Sequence, residues 1–242
     1  VAIGLALTLR ELARGPHPVA DQLFRWSAYR DMLLVNRHLF VRTLALLFCF
    51  LFFVAQGSRQ GEIILAGNAI LLNLLLATAY GLDGFANAAE ALAGKAIGAR
   101  RLDRFYAACR GCLWWCAITA LGFCLAFALL KPWLLPLFTS MPEVLAVAAR
   151  YYPWLVFLPL VSVWSYFFEG VFIGATRSRL MRDTMLFSTL LVYVPVWYAS
   201  RELGNHGLWL AFFCWNIARG ISQAIGFYWL SHQRLWLARD HP

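Results

Sequence analysis

Asp83, Asn87 and Glu90 stand at spacings of four and three inside Ile63 to Ala99, a stretch that otherwise reads as a membrane helix. That spacing puts all three on one helical face. Asn73, Tyr80 and Gly94 fall on the same arc, roughly 100° wide at 100° per residue. A carboxylate near the bilayer centre costs about 2.5–3.5 kcal/mol on insertion scales. The stripe is therefore predicted to line a cavity or an interhelical seam rather than face lipid. The chemistry open to it is the binding of a proton or a cation.

Two more charges interrupt apolar runs. Glu169 lies within Tyr166-Phe-Phe-Glu-Gly-Val-Phe-Ile-Gly-Ala-Thr-Arg177, and Arg219 within Trp215-Asn-Ile-Ala-Arg-Gly220. At 1.5 Å per residue, Glu90 is about 15 Å from Arg100, Glu169 about 12 Å from Arg177, and Arg219 about 16 Å from Leu230. All three are predicted to meet at one level, with Asp83 about 10 Å deeper than Glu90. Two readings stay open. Arg219 neutralises an acid and braces the bundle, or the acids form a titratable or ion-coordinating site. Three acids against one arginine leave negative charge that a cation could neutralise.

The elements that carry these residues follow from composition. Hydrophobic residues make up 62% of the 242-residue chain and charged residues 14%. Soluble domains sit near 45–50% and about 25%, so this is an integral membrane protein. Hydropathy predicts six spans: Leu39–Gln56, Ile63–Ala99, Phe105–Leu130, Val144–Gly174, Thr184–Ser200 and Leu208–Leu230. No strand pattern appears. The second and fourth spans exceed one bilayer thickness and call for tilt or kinks, with Pro153, Pro159 and Pro195 as candidates.

The loops alternate in charge. Arg10, Arg14, Arg25, Arg30 and Arg37 precede the first span and Arg42 stands at its start, while Lys95, Arg100, Arg101, Arg104 and Arg110 lie in or beside the loop between the second and third. Arg177, Arg179 and Arg182 follow the fourth, and Arg234 and Arg239 the sixth. The other side holds Arg59, Lys131, Arg150 and Arg201. This asymmetry predicts cytoplasmic N-terminal and C-terminal segments, and it accounts for the net charge of +9 without nucleic acid. Trp133 and Trp154 near one face and Trp236 near the other are predicted interfacial anchors.

Val1–Leu9 is shorter than the roughly 20 residues a span needs and reads as the end of a helix that begins upstream. Residues 10–38 read as a cytoplasmic linker carrying an amphipathic helix from Val19 to Asn36. Residues 39–230 are the six-helix unit, and 231–242 a cytoplasmic tail. Gly94-Lys-Ala-Ile-Gly98 is a GxxxG pattern, so Gly94 and Gly98 are predicted to pack a neighbouring helix.

Several function classes are excluded or weakened. The six cysteines lie mostly in apolar runs and read as small buried hydrophobes. Cys109-Arg-Gly-Cys112 lacks a second ligand pair, so no metal site is expected. The histidines, His17, His38, His206, His232 and His241, lie in loops or at span ends and offer no relay. No HExxH, GxSxG, Walker A or GxGxxG pattern occurs, and no enzyme or cofactor is expected.

The segment Gly81-Leu-Asp-Gly-Phe-Ala-Asn-Ala-Ala-Glu-Ala-Leu-Ala-Gly-Lys-Ala-Ile-Gly-Ala-Arg100, with Glu169-Gly-Val-Phe-Ile-Gly-Ala-Thr-Arg177 and Leu203-Gly-Asn-His-Gly-Leu-Trp-Leu-Ala211, resembles the MATE (multidrug and toxic compound extrusion) transporters, in particular their DinF-type branch. The match runs from about Asn36 to the C-terminus. The resemblance implies an all-α fold of twelve helices in two six-helix lobes, of which this chain supplies the second. It also implies a missing N-terminal lobe as partner and a bacterial inner-membrane location. Amphipathic, often cationic, small molecules would leave by alternating access in exchange for protons or sodium ions. Lys95 stands where the family often has Gln, and Glu169 where this branch often has Asp. An acid at about this place is implicated in coupling in related branches. The resemblance thus makes Glu169 the first candidate for coupling, assisted by Asp83, Asn87 and Glu90.

Two alternatives remain. A lipid-linked oligosaccharide flippase of the same superfamily needs a strongly cationic cavity, for which only Arg219 and Arg42 offer themselves. A structural membrane subunit would have little use for the acidic stripe.

Overall fold

The computed structural model describes the backbone over residues 26–237 and side chains over residues 36–237. The expected helix end at Val1–Leu9, most of the linker and the last residues of the tail lie outside them. The described part is helical, without a strand. Helix α1 spans Trp26–Ser58, α2 Glu62–Gly98, α3 Leu102–Phe138 and α4 Pro142–Gly174. Then come α5 (Ser178–Phe187), a π-helical turn (Ser188–Tyr193), α6 (Val194–Ser200) and α7 (Asn205–His232). The bundle is built from His38 onward.

Helices α1 to α4 contain segments long and apolar enough to cross a membrane. The fifth predicted span is the continuous run α5–π–α6. Its π turn ends just before Pro195, which has no N–H to return to the preceding turn. The sixth is α7, made less apolar by Asn205, Asn216, Arg219 and Gln223, all buried. The six-helix bundle read from hydropathy therefore stands, with one span broken and one polar.

Each helix turns one stripe inward. On α1, Ala45, Cys49 and Phe53 are buried while Leu44, Leu47 and Leu51 are exposed, the four-residue spacing of one helical face. On α3 the inward stripe is Phe105, Cys109, Cys112, Cys116, Ala120, Cys124 and Phe127. The cysteines there are free and let α3 approach its neighbours closely. Lipid is as apolar as leucine, so close packing and internal hydrogen bonds hold such a bundle more than water exclusion does.

Helix direction alternates. Helices α2 and α4 run parallel: Gly67 meets Val147 and Ala148 at one end, and Gly94 meets Gly174 at the other. Helix α3 runs antiparallel to α4, with Lys131 donating to the Ala149 carbonyl and the Tyr152 hydroxyl to that of Phe127. Helix α7 is parallel to α4, with Trp154 bonded to His206 and Glu169 to Arg219. Helix α1 opposes α7, since Phe53 packs on Trp209 and Phe50 on Trp215. Alternation brings the basic loops to one end, where Arg182 meets His38, the Arg177 guanidinium donates to the Leu235 carbonyl, and Phe105 packs on Trp236. Trp236 is not the interfacial anchor expected of it. It is 1% exposed, buried between Phe105 and Phe227, with its indole N–H on Ser231.

A tight seam lies between α2 and α4. A methyl group on Gly170 would overlap the Ala86 carbonyl oxygen, and one on Gly174 that of Glu90. The glycine pair that permits contact is thus Gly170 and Gly174. Gly94 shares the seam, its Cβ position 3.2 Å from the Gly174 oxygen, whereas Gly98 has open space there. Helix α2 extends one turn beyond the end of α4, which leaves Gly98 without a neighbour to pack.

Two apolar clusters fill the bundle. One is built around Phe53, Leu155, Trp209, Phe212 and Trp215, the other around Leu82, Phe105, Phe168, Phe172 and Trp236 towards the basic end. Glu169, next in the chain to Phe168 of the second cluster, meets Arg219, whose guanidinium lies over Trp215 of the first.

Candidate functional site

Glu169 is 6% exposed, and both of its carboxylate oxygens are engaged. From α7, Arg219 Nη2 donates to Oε1 at 2.6 Å. Gln223, one turn further along α7, brings Nε2 to the same oxygen at 3.4 Å. From α1, Arg42 Nη2 donates to Oε2. Three helices are therefore tied through one buried carboxylate. Charge-assisted bonds of this kind are the strong ones, and removing one partner strands the other charge in low dielectric.

Arg219 is also held from its other side. Its guanidinium lies 4.7 Å from the centre of the Trp215 ring, within cation–π range. The Trp215 indole N–H reaches Thr189 Oγ1 at 3.3 Å, inside the π turn. Thr189 contacts Cys49 Sγ at 3.4 Å, and the Tyr193 hydroxyl donates to the Cys49 carbonyl at 3.2 Å. A continuous polar path thus runs from the π turn to Glu169, the kind of setting in which π turns recur.

A cavity of about 370 Å³ opens beside this cluster. Arg42, Asp83, Glu169, Arg219, Tyr166 and Asn216 give it polar walls, and Phe50, Phe212 and Trp215 aromatic ones. An adjoining hollow of about 290 Å³ shares Phe50, Leu75, Leu76, Ala79 and Tyr166 with it and includes Asn73. Three buried polar atoms at the cluster lack a hydrogen-bond partner among the described residues: Arg42 Nε, Arg219 Nε and Gln223 Oε1. Fully buried polar atoms of this kind are uncommon.

The residues singled out from sequence separate here. Glu169 and Arg219 meet, and Asp83 shares their cavity. Asp83 is solvent-exposed in the bundle and makes no hydrogen bond or ion pair among the described residues. Asn73 lines the neighbouring hollow and returns its amide to the Ala69 carbonyl. Tyr80 is 69% exposed and lines neither hollow, and Asn87 and Glu90 also lie outside both. Glu90 touches α4 through its backbone at Gly174. The expected meeting of Glu90 with Glu169 and Arg219 fails because the face of α2 beyond Asp83 is closed against α4: the Ala86 carbonyl lies on Gly170 and the Glu90 carbonyl on Gly174. The cavity therefore reaches α2 at Asp83 and not at Glu90.

Sequence reasoning misses Arg42 and Gln223 as partners of Glu169. Arg42 counts there as a loop cation, yet it shares a helical face with Ala45, Cys49 and Phe53, all buried. Gln223 lies four residues after Arg219 and seven after Asn216, on one buried face of α7. Both signals are present as periodicity. With Arg42 in place, the expected acid excess becomes two arginines facing two carboxylates across one cavity. No group of three or more His, Cys, Asp or Glu is arranged to hold a metal among the described residues. The CxxC cysteines are on the packing face of α3.

A family model, MatE, matches residues 39–199. DNA damage-inducible protein F of Escherichia coli (strain K12) is 41% identical over 221 residues, which is 87% of this chain and 46% of that protein. A multidrug resistance MATE family transporter of the MOP superfamily, solved in an outward-facing conformation, superposes with a TM-score of 0.74 at 19% identity, over 90% of this chain and 49% of that one. A MATE structure in a bent conformation gives 0.73 at 19% identity, over 93% and 48%. The chain spans about half the length of the relatives it matches.

Proposed function

This chain belongs to the MatE family of transporters, and we propose that it forms the C-terminal six-helix lobe of a cation-coupled multidrug efflux antiporter. The observation that carries the reading is the cavity in which Arg42, Glu169 and Arg219 face Asp83. With all four ionised, the site is neutral. One coupling cation at Asp83 makes it +1, and so does one organic cation in the cavity beside an ionised Asp83. Both together make it +2 in a low-dielectric site, where unscreened like charges are costly. Coupling cation and substrate cation are thus alternatives at constant charge, which is what antiport requires.

Glu169 has both oxygens committed to arginines and serves as a brace. Asp83, with no ion pair, is the acid free to exchange a proton or a sodium ion. Phe50, Tyr166, Phe212 and Trp215 offer ring faces to an amphipathic cation. The volume falls within the range of small-molecule sites. A second lobe closing over this one would complete the pathway, and rocking of the two would expose it to each side in turn. The arginine-rich loops support a cytoplasmic location for that end of the bundle in a bacterial inner membrane. For a flippase, the two arginines count for little, since two carboxylates offset them.

The test is ethidium transport by the full-length protein in proteoliposomes under an imposed proton or sodium gradient. Gradient-driven movement that Asp83→Asn abolishes supports the reading. Undiminished coupling in Asp83→Asn, or ethidium movement indifferent to either gradient, sinks it.

A further inference from the structure

The two oxygens of Glu169 are not equivalent. Oε1 is held by Arg219 and approached by Gln223, both from α7 and both buried. Among the described residues, Oε2 is covered by Arg42 alone, from a different helix. The Arg42 side chain is 18% exposed, against 5% for Arg219, and it lines the cavity. Both arginines line the cavity, but one oxygen is fixed by two buried donors and the other is capped by a single, more exposed cation on a long, flexible stem. The Nε of Arg42 has no partner, so the guanidinium is anchored through Nη2 and not clamped by its full fork of donors. Asp83, an unpaired carboxylate, stands in the same cavity and feels the charges of both Arg42 and Glu169.

We propose that Arg42 is a built-in competitor, a guanidinium that occupies the place of a cationic substrate on Glu169 until a monovalent organic cation bearing N–H donors displaces it towards Asp83. The inference rests on the proposed transport function and deepens it by naming the residue that sets affinity. Three features support it. The guanidinium has the charge and donor geometry of the ligand class it excludes. Its removal leaves Glu169 still paired with Arg219, so the vacated oxygen remains part of a built site. Displacement moves one charge across the cavity without leaving a carboxylate unpaired, since Arg42 passes from one acid to another. The Oε1 of Gln223, buried and without a donor, is a further acceptor beside the same carboxylate. An occupied site of this kind favours cations that replace the guanidinium's bonds and rejects neutral or anionic compounds, which cannot.

The experiment measures ethidium affinity by fluorescence anisotropy on the purified full-length transporter, for wild type, Arg42→Gln and Arg42→Lys. Arg42→Gln is expected to tighten binding by about tenfold, the scale of one charge-assisted bond no longer competed for. Arg42→Lys keeps a cation with one donor head and is expected to fall between. Guanidinium ion added at millimolar level to Arg42→Gln is expected to weaken ethidium binding towards the wild-type value, and to leave the wild type unchanged. Binding that stays the same or weakens in both variants overturns the proposal, as does a guanidinium effect of equal size in wild type. If Arg42→Gln yields no folded protein, Arg42→Lys alone decides, and affinity no better than wild type overturns the idea. Gradient-driven ethidium transport by the wild type is read in parallel. Its absence counts against the antiporter reading, whereas intact transport with unimproved variants counts against the competitor alone.

Discussion

Arg219 reaches Glu169 at 2.6 Å from a helix fifty residues away in sequence, and Arg42 covers the opposite oxygen of the same carboxylate. Replacing the acid therefore leaves two guanidiniums facing each other in the bundle. Glu169→Gln is expected to destabilise the lobe by about 3–5 kcal/mol, seen as a lowered thermal unfolding midpoint in detergent. An unfolding midpoint equal to wild type would contradict the bracing role.

Asp83 should behave in the opposite way. It is exposed and unpaired, so Asp83→Asn is expected to change stability by no more than about 0.5 kcal/mol while removing gradient-coupled ethidium transport. The contrast between the two acids is the informative measurement: one loses the fold, the other the coupling.

The α2–α4 seam gives a second contrast. Gly170→Ala forces a methyl onto the Ala86 carbonyl and is expected to cost at least about 1–3 kcal/mol, the range of overpacked cores. Gly98→Ala meets nothing and should be neutral or stabilise by up to about 0.5–1 kcal/mol through helix propensity. Unfolding midpoints of the two variants check both.

Asn68 and Asn205 exchange amide bonds at 2.8 and 2.9 Å, and the Trp209 indole N–H also donates to Asn68 at 2.9 Å. Asn68→Ala strands three buried polar groups, the amide oxygen and nitrogen of Asn205 and the Trp209 indole N–H, and is expected to cost about 1–3 kcal/mol for each. Asn68→Asp, which keeps the oxygen for Trp209 and for the Asn205 amide, should recover part of the loss.

The path from the π turn to the charge cluster passes through one ring. Trp215→Phe removes the N–H bond to Thr189 and weakens the face presented to Arg219. A loss of about 1–3 kcal/mol is expected. Thr189→Val, which deletes the hydroxyl that serves both Trp215 and Cys49, should lose those two hydrogen bonds while keeping the ring face presented to Arg219.

Much of this was legible in the residues. Hydropathy located the six spans, loop charge ordered them, and the cost of burying a carboxylate drew attention to Asp83, Glu169 and Arg219. What escaped depends on contacts between helices. Asp83 and not Glu90 shares the cavity with Glu169 because Ala86 and Glu90 close onto Gly170 and Gly174, contacts between segments about eighty residues apart in sequence. No count along one helix contains them. Arg42 escaped for a related reason: a cation near a span end reads as a loop charge until a neighbouring helix supplies its carboxylate. The π turn escaped because its hydrophobic residues, Leu190 and Leu191 among them, suit an α-helix equally well.

The glycine seam has a mechanical consequence. Backbone rests on backbone from Ala86 to Gly94, so α2 and α4 form one stiff beam that cannot shear without lifting a carbonyl over a carbonyl. Asp83 and Glu169 ride on opposite halves of that beam and keep their separation. Arg42 rides on α1 and reaches Glu169 on the beam through its side chain. Any stroke of the transporter that changes the site is expected to slide α1 along the beam, so that a fixed pair of anionic posts is uncovered by a moving cation.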